Sequence, residues 1–166
     1  FMQELAEGAS VLDLGCGPGA HAAALHANGF KVTAMDASAA MVEKARAHRG
    51  ITVQQAGFAD LDALGAYDGI WANFSLLHAA RADFPGFLSR IAAALKPGGL
   101  FHIGMKTGEG EHRDSLGRFY SYFSEAELHA HLNDTGFALL DATTGEEIYQ
   151  VRCALCRSLA SGVCQS

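Results

Sequence analysis

The sequence predicts an α/β fold: a doubly wound, mostly parallel seven-stranded sheet with helices on both faces and an antiparallel last strand. Three observations predict it. Short apolar runs alternate with segments of helical composition, and that alternation builds a parallel sheet covered on both sides. The early runs are near-continuously apolar, as strands buried on both faces are. The first run ends in a glycine cluster, Gly15 to Gly19, which leads directly into an Ala-rich helical segment. The chain has 166 residues, so one domain spanning 1–166 is expected.

The elements follow in order. Ser10 to Leu14 is the first strand. Ala20 to Asn28 is helical and closes at Gly29, glycine being common just past a helix end. Phe30 to Met35 is the second strand and ends at Asp36. Ser38 to His48 reads as a helix, with Ser38 as its cap and Gly50 beyond its end. Ile51 to Val53 and Tyr67 to Asn73 are the third and fourth strands. A helix from Phe84 to Leu95 stops at Lys96-Pro97-Gly98-Gly99, and Leu100 to Met105 is the fifth strand. Ser124 to Asn133 is a helix that opens with a capping box, Ser124 with Glu127 three residues on. Phe137 to Leu140 and Val151 to Leu155, with no good helix between them, form an antiparallel pair.

Composition removes several function classes. Hydrophobic residues make up 49% and charged residues 18%, which excludes a disordered or solvating chain. The 12 Lys and Arg against 18 Asp and Glu give a net charge of −6, with no basic run, so no nucleic-acid partner is expected. No apolar stretch approaches the ~20 residues that span a bilayer, and Phe1-Met2-Gln3 does not open a signal peptide. A cytoplasmic location is expected, with no membrane partner. The sequence leaves the oligomeric state open.

The chemistry concentrates at strand ends, where ligands bind in such sheets. Gly15, Gly17 and Gly19 let the chain turn sharply and let a ligand approach without a Cβ in the way. The helix that follows offers free N–H groups to a carboxylate or phosphate. Asp36, at the end of the second strand, is placed to accept both hydroxyls of a ribose. Together these features indicate an adenosine-containing ligand.

Four motifs then identify a resemblance. Val11-Leu12-Asp13-Leu14-Gly15-Cys16-Gly17-Pro18-Gly19 resembles the first motif of class I S-adenosylmethionine-dependent methyltransferases. Asp36-Ala37-Ser38 with Met41 is similar to their second-strand motif, and Tyr67 through Leu77-His78 to their fourth. Leu95-Lys96-Pro97-Gly98-Gly99-Leu100 resembles the turn before their fifth strand. Lys106 through Tyr120 is more loosely similar to small bacterial methyltransferases of the tellurite-resistance type. The resemblance implies a Rossmann-like fold, S-adenosyl-L-methionine as cofactor, and methyl transfer to a small-molecule acceptor by in-line displacement.

It also implies roles for residues. Gly15, Gly17 and Gly19 would pack under the methionine part of the cofactor, in a loop that includes Cys16. Asp13 would orient the cofactor's amino group from beneath. Asp36 would hold the ribose, Ala37 would lie against the adenine, and the Phe58 backbone would reach the adenine edge. The Ala72 carbonyl would face the ammonium group, and Leu77 would line the methyl side. Where relatives carry an acid for the adenine amino group, this chain has Gly57, with Asp60 nearby as a substitute. Relatives also carry a helical segment before the first strand. Here only Phe1 to Gly8 precedes it, so the domain is either short at its front or preceded by a segment outside these 166 residues.

The acceptor pocket is expected at the ends of strands four and five. His78 is placed as a general base or as a tie between loops. Lys106, Arg113, Arg118 and Tyr120 are expected to line the pocket, where arginine would suit an anionic acceptor. His102 is expected to be structural. Cys153, Cys156 and Cys164 are read as small packing residues rather than metal ligands, and no metal is expected. Two alternatives stay open: a non-catalytic module that binds the same cofactor, and a nicotinamide-dependent oxidoreductase.

Overall fold

The structure is a computed structural model and describes residues 1–156. One seven-stranded sheet organises it. Its strands are β1 (Ser10–Leu14), β2 (Lys31–Asp36), β3 (Thr52–Gln55), β4 (Tyr67–Asn73), β5 (Leu95–Lys106), β8 (Phe137–Gly145) and β9 (Ile148–Leu155). Two short strands, β6 (Glu111–Arg113) and β7 (Phe119–Ser121), form a separate hairpin. The sheet order is β3-β2-β1-β4-β5-β9-β8. The first five strands are parallel, and β9 runs antiparallel between β5 and β8. The order reverses at β1/β4, so the ends of these two strands form the switch point.

The helices are α1 (Ala20–Ala27), α2 (Ala39–Ala45), α3 (Phe84–Ala94) and α4 (Glu125–Asp134). Strand alternation sorts the side chains onto two faces. Leu12, Leu14, Ile70, Phe101 and Ile103 join the cores of α3 and α4. Val11, Val32 and Ala34 join α1 through Ala22 and Leu25, and α2 through Ala45. In α3, Phe84, Leu88 and Ile91 form one buried stripe at spacings of four and three residues. The capping box of α4 is present: Ser124 Oγ accepts from the Glu127 amide at 3.2 Å, and the Ser124 amide donates to Glu127 Oε2 at 2.8 Å.

The structure differs from the sequence expectation in several places. The second helix stops at Ala45 rather than His48. Strand β5 begins at Leu95, which pairs with Tyr67 before the register shifts across Lys96–Gly99 and resumes at Leu100. The last two strands are longer than their apolar runs, because a hairpin at Glu146-Glu147 extends their backbone pairing. The β6/β7 hairpin was not expected at all, since its strands have only three residues each and are held by contacts distant in sequence. No helix among the described residues is long and apolar enough to cross a membrane.

Candidate cofactor and acceptor site

The carboxyl ends of β1, β2 and β4 surround a cleft of about 510 Å³. Its lining includes Gly15, Gly17, Asp36, Ala37, Gly57, Phe58 and His78. Seven residues distant in sequence, each singled out from the sequence, therefore share one cavity. Phe74, Ser75 and Ala56 are also part of the wall, with Ser38 and Met41 of the second-strand motif. Phe74, Ser75 and Ala56 were not singled out from the sequence because their apolar or small side chains carry little chemical signal.

The glycine loop is fixed by close approach. The amides of Gly15 and Cys16 both donate to the Met35 carbonyl, at 2.7 and 2.9 Å. A Cβ on Gly15 would stand 2.3 Å from Ser75 Cβ, and its φ is +76°, so only glycine fits. Ser75 in turn donates its hydroxyl to the Leu14 carbonyl at 2.6 Å, tying the β4 loop to the end of β1. A Cβ on Gly17 would meet nothing within 4 Å, so this part of the loop faces open space. Gly19 packs against Ala45 of α2 instead of lining the cleft.

Asp36 is the polar centre of the cleft. Its Oδ2 accepts from the Gly17 amide and its Oδ1 from the Ser38 amide, both at 2.8 Å. Each carboxylate oxygen retains a further lone pair. Asp60 does not point into the cleft: its Oδ2 accepts from the Gly57 amide at 2.8 Å and closes its own turn. Cys16 is buried against the α1 core. Ala72 and Leu77 are buried in the α3/α4 core, so their side chains lie behind the cleft wall.

Asp13 is buried beneath the loop, and among the described residues its Oδ2 has no hydrogen-bond partner. Burial pushes its carboxyl up to about 7, against the pull of the Ala22 backbone and with a smaller push from Asp36. Burial likewise pushes the Cys16 thiol up to about 12.

His78 stands between this cleft and the β6/β7 hairpin. Its Nδ1 is 2.8 Å from the Phe119 carbonyl. A carbonyl can only accept, so Nδ1 carries a proton, and Nε2 has no hydrogen bond among the described residues. The ring also lies 4.8 Å from that of Tyr120. Other ties hold the hairpin. The Arg81 guanidinium donates to the Tyr122 carbonyl, pairs with Glu127 at 2.5 Å and lies over the Phe123 ring. Ser121 donates its hydroxyl to the Ala79 carbonyl at 2.5 Å.

The predicted acceptor-side residues divide. Lys106 Nζ lies 4.6 Å from the Tyr120 ring centroid. Arg113 donates to the Gly117 carbonyl at 2.7 Å and lies over Phe119. Arg118 is paired with Asp114 at 2.6 Å. His102 is buried far down β5 and stacks on Trp71 with centroids 3.7 Å apart. No group of three or more His, Cys, Asp or Glu among the described residues could hold a metal ion. Cys153 is a buried free thiol, and Cys164 lies outside the described residues.

A parallel sheet with a glycine-lined cleft and a strand-end acid at its switch point defines a nucleoside-cofactor fold. Comparison with known proteins narrows it. Residues 11–99 match the family model described as a methyltransferase domain, and the chain belongs to that family. It is 37% identical over 98 residues to the cypemycin N-terminal methyltransferase of a Streptomyces species, covering 56% of this chain and 40% of that protein. It is 33% identical over 108 residues to the carboxy-S-adenosyl-L-methionine synthase of Aliivibrio fischeri, covering 58% and 44%. The chain thus spans less than half the length of these two relatives. Among solved structures, it superposes on the 1,6-didemethyltoxoflavin-N1-methyltransferase of Burkholderia thailandensis with a TM-score of 0.78 and 25% identity, over 90% of this chain and 72% of that one. That structure holds S-adenosylhomocysteine. The fold is that of class I S-adenosylmethionine-dependent methyltransferases, and S-adenosylmethionine is the cofactor of that class.

Proposed function

We propose that this chain binds S-adenosylmethionine in the cleft at the ends of β1, β2 and β4, and that it methylates a small-molecule acceptor seated beneath the β6/β7 hairpin, both within one domain. Bound there, the cofactor supplies a methyl group on a cationic sulfur that leaves as a neutral thioether. The protein's task is then to position the reactants and exclude water.

The observation that carries the reading is the carboxylate of Asp36, held by two backbone amides with lone pairs to spare for ribose hydroxyls. Gly15 and Gly17 leave backbone and open space for the methionine part, with Gly19 holding the loop on α2. Asp13 orients the amino group from below, and Cys16 fills the space behind the loop. The backbones of Gly57 and Phe58 read the adenine edge, with Ala37 against its face. The Ala72 carbonyl serves the ammonium group. Leu77 supports the wall on the methyl side. His78 Nε2 takes a proton from an acceptor that has one to lose, and Tyr120 with Lys106 bounds the far side of the acceptor site. The toxoflavin and cypemycin methyltransferases among the relatives support a small acceptor.

Calorimetric titration tests the reading. Micromolar binding of S-adenosylmethionine and S-adenosylhomocysteine is expected, with none of the nicotinamide dinucleotides. Asp36→Ala should weaken cofactor binding by about tenfold or more, the loss of roughly 1.4 kcal/mol of hydrogen bonding. An unchanged affinity removes Asp36 from the site, and no binding to the parent chain removes the reading.

A further inference from the structure

Resting on that reading, we propose that the methyl acceptor is an anion, and that Lys106 is the residue that binds its negative group. Four cations follow or flank the acceptor side of the cleft, and three are already engaged. Arg81 is paired with Glu127 and bound to the Tyr122 carbonyl. Arg118 is paired with Asp114 through both Nε and a terminal nitrogen, at 2.7 and 2.6 Å. Arg113 is turned back onto the Gly117 carbonyl and the Phe119 ring.

Lys106 differs. It is half-buried at the end of β5, and among the described residues it has neither an acid within ion-pairing distance nor a hydrogen bond from its ammonium group. Its neighbour across the sheet, Ile148, offers no charge. Glu147 touches this corner only through its backbone carbonyl, which accepts from the Thr107 amide at 3.1 Å. The one described contact of the Lys106 ammonium is the Tyr120 ring at 4.6 Å. A partly desolvated cation without a counter-ion is a receptor for an anion, and a charge-assisted contact there is stronger than a neutral one.

Position makes that receptor relevant to the acceptor. The Tyr120 ring touches Lys106 Nζ on one hand and the His78 ring, 4.8 Å away, on the other. His78 lines the cofactor cleft. Tyr120 is itself buried and acts as the spacer between the two side chains, so an acceptor at the mouth of the cleft would set its negative group at Lys106 and its nucleophilic atom toward His78. The chain's net charge of −6 repels an anion at long range, so selection for one has to come from a local cation of this kind.

The test uses the full chain saturated with S-adenosylhomocysteine, titrated by calorimetry with three probes of one shape: 4-hydroxybenzoate, its neutral amide, and the cationic amine tyramine. The carboxylate should bind at least tenfold more tightly than the other two. Lys106→Met should erase that preference and Lys106→Arg should retain most of it, while Arg113→Gln leaves it intact. Equal binding of the three probes, a preference for the amine, no binding of any, or a preference that survives Lys106→Met overturns the proposal. The saturation step separates the two readings. If S-adenosylhomocysteine binds but the anion preference is absent, only the inference about Lys106 falls. If S-adenosylhomocysteine does not bind, the cofactor reading falls and takes this inference with it.

Discussion

The two faces of the sheet are made by the same strands, yet they are built differently. The face under α3 and α4 is closed by hydrocarbon and aromatic side chains: Phe84, Phe101, Ile103, Leu88 and Phe123 are all essentially without solvent contact. The face under α1 carries a polar row instead. Residues paired across neighbouring strands run Asp13, Trp71, His102, Arg152, Asp141. Every buried side-chain polar atom that lacks a partner among the described residues lies on that row: Asp13 Oδ2, Trp71 Nε1 and Arg152 Nε. A groove of about 290 Å³ runs beside it, with Phe1 seated against Trp71. The α3/α4 face supplies stability by burial, whereas the α1 face stores unmet polar groups, of which Asp13 lies beneath the cofactor loop.

The largest effect should come from the hydrocarbon face. Phe84 is fully buried and its ring lies 4.5 Å from that of Phe123. Phe84→Ala should cost about 3–5 kcal/mol in urea denaturation, the range for emptying a core aromatic. A loss below 1 kcal/mol would mean that this face collapses readily and is not the main source of stability.

The polar row should show itself through pH. Burial holds the Asp13 carboxyl at about 7 in the folded state, against an ordinary 3.8, so between those values the folded chain keeps a proton that the unfolded chain has lost. Stability from this group falls as pH rises from about 4 to about 7, and is then level. Burial lowers the His102 imidazole from 6.5 to about 4, so over that interval the unfolded chain holds the extra proton and stability rises with pH. The two slopes oppose each other. Asp13→Asn should leave the rising slope alone and stabilise the chain above pH 7 by about 2–4 kcal/mol, while His102→Gln should expose the falling slope. Denaturation midpoints between pH 4 and 8 check both. Identical profiles for the two variants would show that burial on this row does not set the two opposed slopes.

The smallest effect lies at the opposite end of the sheet from the cleft. There Asp68 binds Lys96 at 2.8 Å and accepts from the Ser10 amide, which holds its carboxyl below the usual range. The pair is largely solvated, so Lys96→Met should cost about 0.5–1 kcal/mol and less at high salt. A larger cost would show that the Lys96–Gly99 turn depends on this contact.

Much of this was legible in the sequence, for identifiable reasons. The order of strands and helices followed from apolar runs, and the helix ends from Ser124, Gly29 and Gly98, whose chemistry acts within a few residues. Gly15, Gly17 and Asp36 could be found because a tight turn and a strand-end acid leave a local signature. Asp60 looked available for the cofactor from its position alone, and the structure shows its Oδ2 closing its own turn on the Gly57 amide. Arg113 and Arg118 carried the right charge and were placed with the acceptor, yet each is satisfied by a neighbour four residues away.

The sequence by itself determined what depends on near neighbours: which segments are strands or helices, where the chain must turn, and which residue types could hold a nucleoside. Only the tertiary structure decided what depends on register. It brought Ser75 under Gly15, set His78 against Phe119 and Tyr120, and aligned Asp13, Trp71 and His102 in one row. Those contacts join residues 31 to 60 positions apart, and their partners are fixed by how strands pair and pack, which no local pattern encodes.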